Sequence, residues 1–254
     1  MKVLIESMSF GGTAQSCTGY YHGKRSFDVL THAESVLPSP LDSAIALIIG
    51  AVDAPGSAIA KRFSCEGFAI AAVRCDAEKL APLADTISVD GHESHAFGID
   101  ARTEEQVDSL FPHIEAGIGE IDVMVFTIGA NVQLSIVETT AQKYYKVWEM
   151  GSFTGFLTGR EAARTMLPRK RGAIIFTGAT QSVRGGTGFS AFSGAKNGLR
   201  DLAQNIAREL GPEDIHLGHL VIDGSIDTEF IRTLFPERYK PKEIDGILNP
   251  AHNA

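Results

Sequence analysis

Several things are scarce or missing in this sequence. There are three cysteines, Cys17, Cys65 and Cys75, an odd number without the spacing of a metal-ligand set. This argues against a structural metal site and for idle or buried thiols in a reducing compartment. No run of Lys and Arg exceeds three residues, and 23 basic against 31 acidic residues leave a net charge of −8. Nucleic acid and anionic membrane surfaces are therefore poor candidates for partners. No apolar run reaches the length needed to span a bilayer, and the apolar stretch in "MKVLIESMSFGG" is too short for a secretory signal. A cytoplasmic protein is expected. Apolar residues are plentiful: they make up 44% of 254 residues, enough for the core of one sizeable domain.

Residues 1–42 form a separate zone rich in Gly, Ser, His and Tyr that ends in "LPSPLDS". We read it as an extension whose order the sequence does not define. "KVLI" is a candidate strand without local support. From residue 43 a rhythm begins, and the folded domain is expected to be 43–254. Apolar runs at 44–50, 68–74, 95–100, 121–129, 172–179 and 216–223 end in or beside Gly, Arg or Asp, and helical patterns lie between them. Thr103 is the expected N-cap of one of these helices. Continuous apolar strands alternating with helices predict a parallel sheet covered on both faces. The fold class is α/β, a Rossmann-like doubly wound sheet in three α/β/α layers.

The first strand runs into "GAVDAPGSAIA". Gly50 suits a tight turn, and Gly56 opens a helix whose free N–H groups and dipole would hold a pyrophosphate. Ala54 stands where a further glycine is expected and adds a Cβ near the phosphates. The second strand ends in "AAVRCD", with Val73 in the usual acidic place and Arg74 after it. A carboxylate there binds a ribose 2′-hydroxyl, whereas Arg accommodates a 2′-phosphate, so NADP(H) is expected over NAD(H). Asp76 is close enough to compete with that preference.

These parts, in this order, resemble the short-chain dehydrogenase/reductase superfamily over about residues 43–235. The resemblance places cofactor contacts at Gly50, Val52, Asp53, Ala54, Pro55 and Gly56 in the first turn. It adds Arg74 and Cys75 after the second strand, and Asp100 with Ala101 after the third, Asp100 in the place of an adenine-contacting carboxylate. "FTIG", with Thr127, Ile128 and Gly129, stands where the family has Asn-Asn-Ala-Gly. "DGSIDT" matches the segment after the sixth strand, with Asp223 in a proline place, Gly224 after it, and Ile226 and Thr228 at the nicotinamide carboxamide. The family also implies a helix and a seventh strand beyond this loop, and the remaining sequence to residue 254 is expected to lack them. Either the chain is truncated or residues 1–42 cover the exposed sheet edge.

The match weakens at the reaction centre. The family's Tyr-x-x-x-Lys reads Phe192-Ser193-Gly194-Ala195-Lys196. The place of its Ser falls on Ala179, with Thr180 beside it, and the place of its Asn falls on Ser152. In the family the phenol exchanges a proton with the substrate oxygen, and the Lys lowers the phenol pKa and holds the nicotinamide ribose. Phe192 can do none of the acid–base work. The tyrosine position of the enoyl-reductase branch is also a ring without a hydroxyl, Phe189, and Ser193 points about 100° away around the helix. Lys196 borders the apolar face of Phe192, Ala195, Leu199, Leu202, Ala203, Ile206 and Leu210, and is expected to be a cofactor ligand rather than a surface residue. Thr180 is the nearest remaining proton donor.

Two functions stay open. One is an NAD(P)(H)-dependent oxidoreductase, acting on a small carbonyl or alcohol with an atypical proton donor. The other is a catalytically silent NADP(H)-binding sensor or partner subunit. The dehalogenase branch is disfavoured, since it keeps Ser and Tyr and loses the dinucleotide loop. The resemblance further implies a homodimer or homotetramer through helices 141–167 and 191–210.

Overall fold

Residues 45–49 carry no polar alternation, and all five are fully buried. Such a strand is stable only inside a sheet covered on both faces. A computed structural model describes residues 3–7, 18–21, 44–51, 54–224 and 226. Its strands are β1 (Val3–Ser7), β2 (Thr18–Tyr21), β3 (Ile45–Ile49), β4 (Ala69–Arg74), β5 (Ser94–Gly98), β6 (Ile121–Phe126), β7 (Gly172–Ala179) and β8 (Ile215–Ile222). They form one sheet in the order β2-β1-β8-β7-β6-β3-β4-β5. The six strands from β3 to β8 run parallel, while β1 pairs antiparallel with β8 and β2 antiparallel with β1. The parallel part is the doubly wound order, in which the chain leaves β3 for β4 and β5 and returns to place β6 on the other side of β3. Ligands of such sheets bind outside the carboxyl ends of the strands where that reversal occurs.

The helices are α1 (Ala54–Cys65), α2 (Ala81–Val89), α3 (Glu104–Gly117), α4 (Ala141–Trp148), α5 (Thr154–Met166) and α6 (Ser190–Leu210). Alternation along the strands divides the core. Ile45, Leu47 and Ile49 pack with residues of α3, α5 and α6, and Ala46 and Ile48 pack with residues of α1 and α2. Each fully buried Ile or Phe contributes roughly 1.5–3 kcal/mol, so both faces are strongly held and the strand ends are positioned rigidly.

The structure adjusts several sequence expectations. The third parallel strand stops at Gly98 and the fourth at Phe126. The latter ends because Thr127 turns its hydroxyl to the carbonyls of Ile49 and Gly50, at 3.0 and 2.8 Å. Thr103 precedes α3 as the cap, but its side chain makes no cap bond. The helical stretch 141–167 is interrupted by a wide turn at Glu149–Phe153, where Thr154 Oγ1 donates to the Glu149 carbonyl at 2.9 Å. Val3–Ser7 is a strand after all. Its support comes from β8, more than 200 residues away, with Val3 opposite Ile222 and Ser7 opposite Gly218.

Candidate active site

The turn after β3 is built for close approach. Gly50 has φ of +95°, and its N–H donates to the Val73 carbonyl at 3.0 Å, which binds the turn to β4. A Cβ at Gly50 would lie 2.7 Å from Thr127 Oγ1. Gly56, in the first turn of α1, lies so near the Gly50 carbonyl that a Cβ there would collide with it. The two expected glycines are therefore steric requirements of the turn. Ala54 and Pro55 begin α1, while Val52 and Asp53 lie outside the described residues.

Beside this turn is a cavity of about 270 Å³. Gly50, Arg74, Cys75, Asp100, Ala101, Ile128 and Gly129 all line it, so seven of the expected cofactor residues converge on one space. Ile99, Arg102, Met150 and Thr154 line it too, and the sequence reading missed them. Arg102 matters most of these. Its guanidinium grips Asp100 with Nε at 2.9 Å and Nη2 at 2.6 Å. This hydrogen bonding holds the Asp100 carboxyl below its ordinary range, against the opposing effect of partial burial. Asp100 is thus a carboxylate already engaged by a cation, with a cation's donors beside it in the cavity. The Arg74 side chain has no ion-pair partner among the described residues.

At the other end of the cleft, Lys196 is only 3% exposed, so it is not a surface residue. Its Nζ donates to the carbonyls of Thr177 at 3.0 Å and Ile128 at 3.2 Å. Burial pushes its pKa down to about 8. An ammonium has three donors and two are spent here, which leaves one for a ligand. Phe192 is 5% exposed, and its ring centroid lies 6.0 Å from Lys196 Nζ. Ala179, at the end of β7, and Ala130, Val132 and Phe189 pack around the group formed by Phe192, Val147, Ala191 and Ala195. Ser152 is buried in the wide turn, and its Oγ would lie 2.8 Å from a Cβ on Gly198 of α6. Thr180 opens the single turn after β7 and donates to Asp223 Oδ1 at 2.6 Å. Gly224 follows Asp223, Ile226 is half-buried, and Thr228 lies outside the described residues.

A further group sits behind Lys196. His219, on β8, is buried, and neither ring nitrogen has a hydrogen-bond partner among the described residues. Burial, followed by the charges of Lys196 and Arg200, lowers its pKa to about 3. It is therefore a neutral imidazole at physiological pH. The signal was a second histidine, after His216, inside the apolar run "HLGHLVID".

The sequence pattern of the short chain dehydrogenase family matches residues 44–238. A solved short-chain dehydrogenase from Rhodopseudomonas palustris is 44% identical and superposes with a TM-score of 0.69, covering 79% of this chain and 93% of that one. Bovine 3-oxoacyl-[acyl-carrier-protein] reductase is 26% identical over 196 residues, 77% of this chain and 81% of that protein. A metagenomic short-chain oxidoreductase, solved in complex with NADP, is 22% identical with a TM-score of 0.69, over 74% of this chain and 86% of that one.

Proposed function

The chain belongs to the short-chain dehydrogenase family, and from that premise we propose that it binds NADP(H) in preference to NAD(H) and interconverts a small carbonyl compound and its alcohol without a tyrosine proton donor. NAD(P)-dependent oxidoreductases are the type to which it belongs. Solved relatives hold NADP in one case and NAD+ in another, so the choice between the two rests on this chain's own residues. The observation that carries the reading is the cavity that gathers the Gly50 turn, Arg74 and Asp100 at the carboxyl ends of β3, β4 and β5.

The residues fit the cofactor. The Gly50 turn and the start of α1 would receive the pyrophosphate, Arg74 a 2′-phosphate, and the third donor of Lys196 the nicotinamide ribose. When bound, the nicotinamide accepts or supplies the two electrons and hydrogen of the reaction. Around it the chain supplies a dry wall of Phe192, Ala179 and Val147, and the Lys196 charge beneath. In this reading Phe192 stands in the place of the family's phenol, Ala179 in that of its Ser and Ser152 in that of its Asn. A second reading, a cofactor-binding subunit without turnover, is favoured by the carbon-only surface that Phe192 presents beside Lys196. Fluorescence titration with NADPH and NADH, followed by turnover of a panel of ketones, aldehydes and alcohols, separates the two. The proposal expects tighter NADPH binding and measurable turnover in at least one direction, whereas binding without any turnover supports the second reading.

The expected assembly is a homodimer or homotetramer. Tyr144, Tyr145 and Trp148 on α4 and Phe156 on α5 are exposed, and aromatic residues of this kind favour burial against a second subunit. No helix among the described residues is long and apolar enough to cross a membrane.

A further inference from the structure

A site without a phenol needs another path for the substrate proton, and the ends of β7 and β8 hold a candidate. Thr180 follows β7 directly, Asp223 follows β8 directly, and these strands are neighbours paired from Gly172–Ile215 to Ala179–Ile222. The Thr180 hydroxyl donates to Asp223 Oδ1 at 2.6 Å, a distance typical of a charge-assisted O–H···O bond. This pair is not needed to satisfy buried groups. Thr180 is half-buried and the Asp223 side chain is 43% exposed, so water could serve either one. Its place in the cleft is specific, however. Ala179, the residue before Thr180, packs against the Phe192 group, and the following residue Gln181 is tied to α6 through its carbonyl by Asn197 Nδ2 at 2.6 Å. The Thr180 hydroxyl is therefore held beside the apolar wall, at the carboxyl edge of the sheet. Among the described residues Asp223 also faces Arg184, whose Nη2 is 3.9 Å from Oδ1, beyond hydrogen-bond range. Lys196 instead donates to the carbonyls of Thr177 and Ile128.

We propose that Thr180 and Asp223 form the proton relay of this site, with Thr180 touching the substrate oxygen and Asp223 accepting the proton behind it. The proposal rests on the oxidoreductase reading given above. In alcohol oxidation the substrate O–H bond breaks as its proton passes to Thr180 Oγ1, while the Thr180 hydroxyl proton passes to the Asp223 carboxylate. A bound oxidised nicotinamide would supply the two-electron acceptor for the carbinol hydrogen and its electron pair as the C=O bond forms. Asp223, open to solvent, then releases its proton to water. Reduction runs the same steps in reverse. Thr180 alone would be a poor acid or base, and the carboxylate makes its hydroxyl a two-way conductor while Thr180 itself stays neutral at the substrate.

The test compares wild type with Thr180→Val, Thr180→Ser and Asp223→Asn. Three measurements are made on each: melting temperature, the dissociation constants of NADP+ and NADPH, and the pH profile of kcat/KM for oxidation of a panel of secondary alcohols including 2-butanol and cyclohexanol. Thr180→Val and Asp223→Asn are expected to lose about 10²-fold in kcat, the low end for general acid–base catalysis, with dissociation constants within about twofold of wild type. Asp223→Asn should also change the shape of the pH profile, and Thr180→Ser, which keeps the hydroxyl, should retain most of the rate and the profile. Unchanged rates and profiles in Thr180→Val and Asp223→Asn overturn the relay and leave the oxidoreductase reading standing. A fall in cofactor affinity matching the fall in rate also overturns it, by assigning Asp223 to holding the cofactor. Cofactor binding by a wild type that turns over nothing in either direction overturns the oxidoreductase reading, and the relay with it.

Discussion

The two ends of the cleft differ in what they ask of the sequence. At β3, β4 and β5 a formed cavity rests largely on backbone: the Gly50 turn, its bond to the Val73 carbonyl, and the close passage of Gly56 under Gly50. At β7, β8 and α6 the chemistry rests on the identity of a few side chains. There the structure keeps one buried cation, Lys196, beside the Phe192 ring, which packs with Ala179 and Ala195. Holding a dinucleotide and moving a proton are thus separable demands. A side chain added at Gly56 meets backbone and has nowhere to go, whereas an oxygen added to the ring at 192 changes its volume little. The first end is protected by the fold itself, and the second is free to change.

The largest expected effect would erase that contrast. Phe192→Tyr adds one oxygen beside the Lys196 ammonium, whose charge lowers a nearby phenol's pKa. NADPH-dependent carbonyl reduction should rise by about 10²-fold in initial-rate assays, the low end for an acid–base group. Phe192→Tyr with Ala179→Ser should raise it further. If neither variant gains while NADPH binding is intact, the reaction end does not have the family geometry, and the contrast drawn here is misplaced.

A smaller effect probes the binding end. Arg74→Ala should narrow the NADPH-over-NADH preference by about tenfold, as expected for loss of one charge-assisted hydrogen-bonded pair at the low end of about 1.5–3 kcal/mol. Equal affinities for the two cofactors in the unmutated protein would contradict the assignment of Arg74.

The smallest effect links the two ends. Below about pH 8 Lys196 is an ammonium with three donors, two of them on the Thr177 and Ile128 carbonyls. Above that pH the neutral amine has only two N–H donors, and both stay on the carbonyls. NADPH affinity should therefore fall roughly fivefold as pH rises through about 8, the worth of one hydrogen bond near 1 kcal/mol. Lys196→Met should flatten that dependence. Stability follows the opposite course. The folded-state pKa lies below that of an unfolded Lys, near 10.4, so between about pH 8 and 10.4 the unfolded chain binds more protons and this group's contribution to stability rises with pH. Urea unfolding at pH 8 and pH 10, with Lys196→Met as reference, measures it.

Assembly is an independent check. A homodimer or homotetramer is expected to cover Tyr145 and Trp148, and a sedimentation mass of one 27.2 kDa chain at micromolar concentration contradicts it.

How far residues could be read in advance depended on how local their causes are. The run at 45–49 and the turn at Gly50 announce themselves, since burial on both faces demands unbroken apolar residues and a positive φ demands glycine. Strand ends were less legible, because Thr127 stops β6 by bonding to Ile49 and Gly50, some 77 positions earlier in the chain. "KVLI" gave no sign of its partner because the partner, β8, lies at the far end of the sequence. Arg102 was missed although it stands two residues from Asp100, for nothing in its neighbourhood says that the two side chains close on each other. His219 was passed over as part of an apolar strand, and only packing places it near Lys196.

By itself the sequence determined the doubly wound α/β order, the turn that suits a dinucleotide and the absence of a phenol before Lys196. These follow from periodicity, glycine and residue identity, all of which act within a few positions of the chain. Tertiary structure alone decided that Lys196 is buried with one donor to spare, that Arg102 holds Asp100, and that Thr180 meets Asp223 across adjacent strand ends. Side-chain direction, burial and protonation depend on neighbours that come into contact only when the sheet closes, and no local pattern in the chain records them.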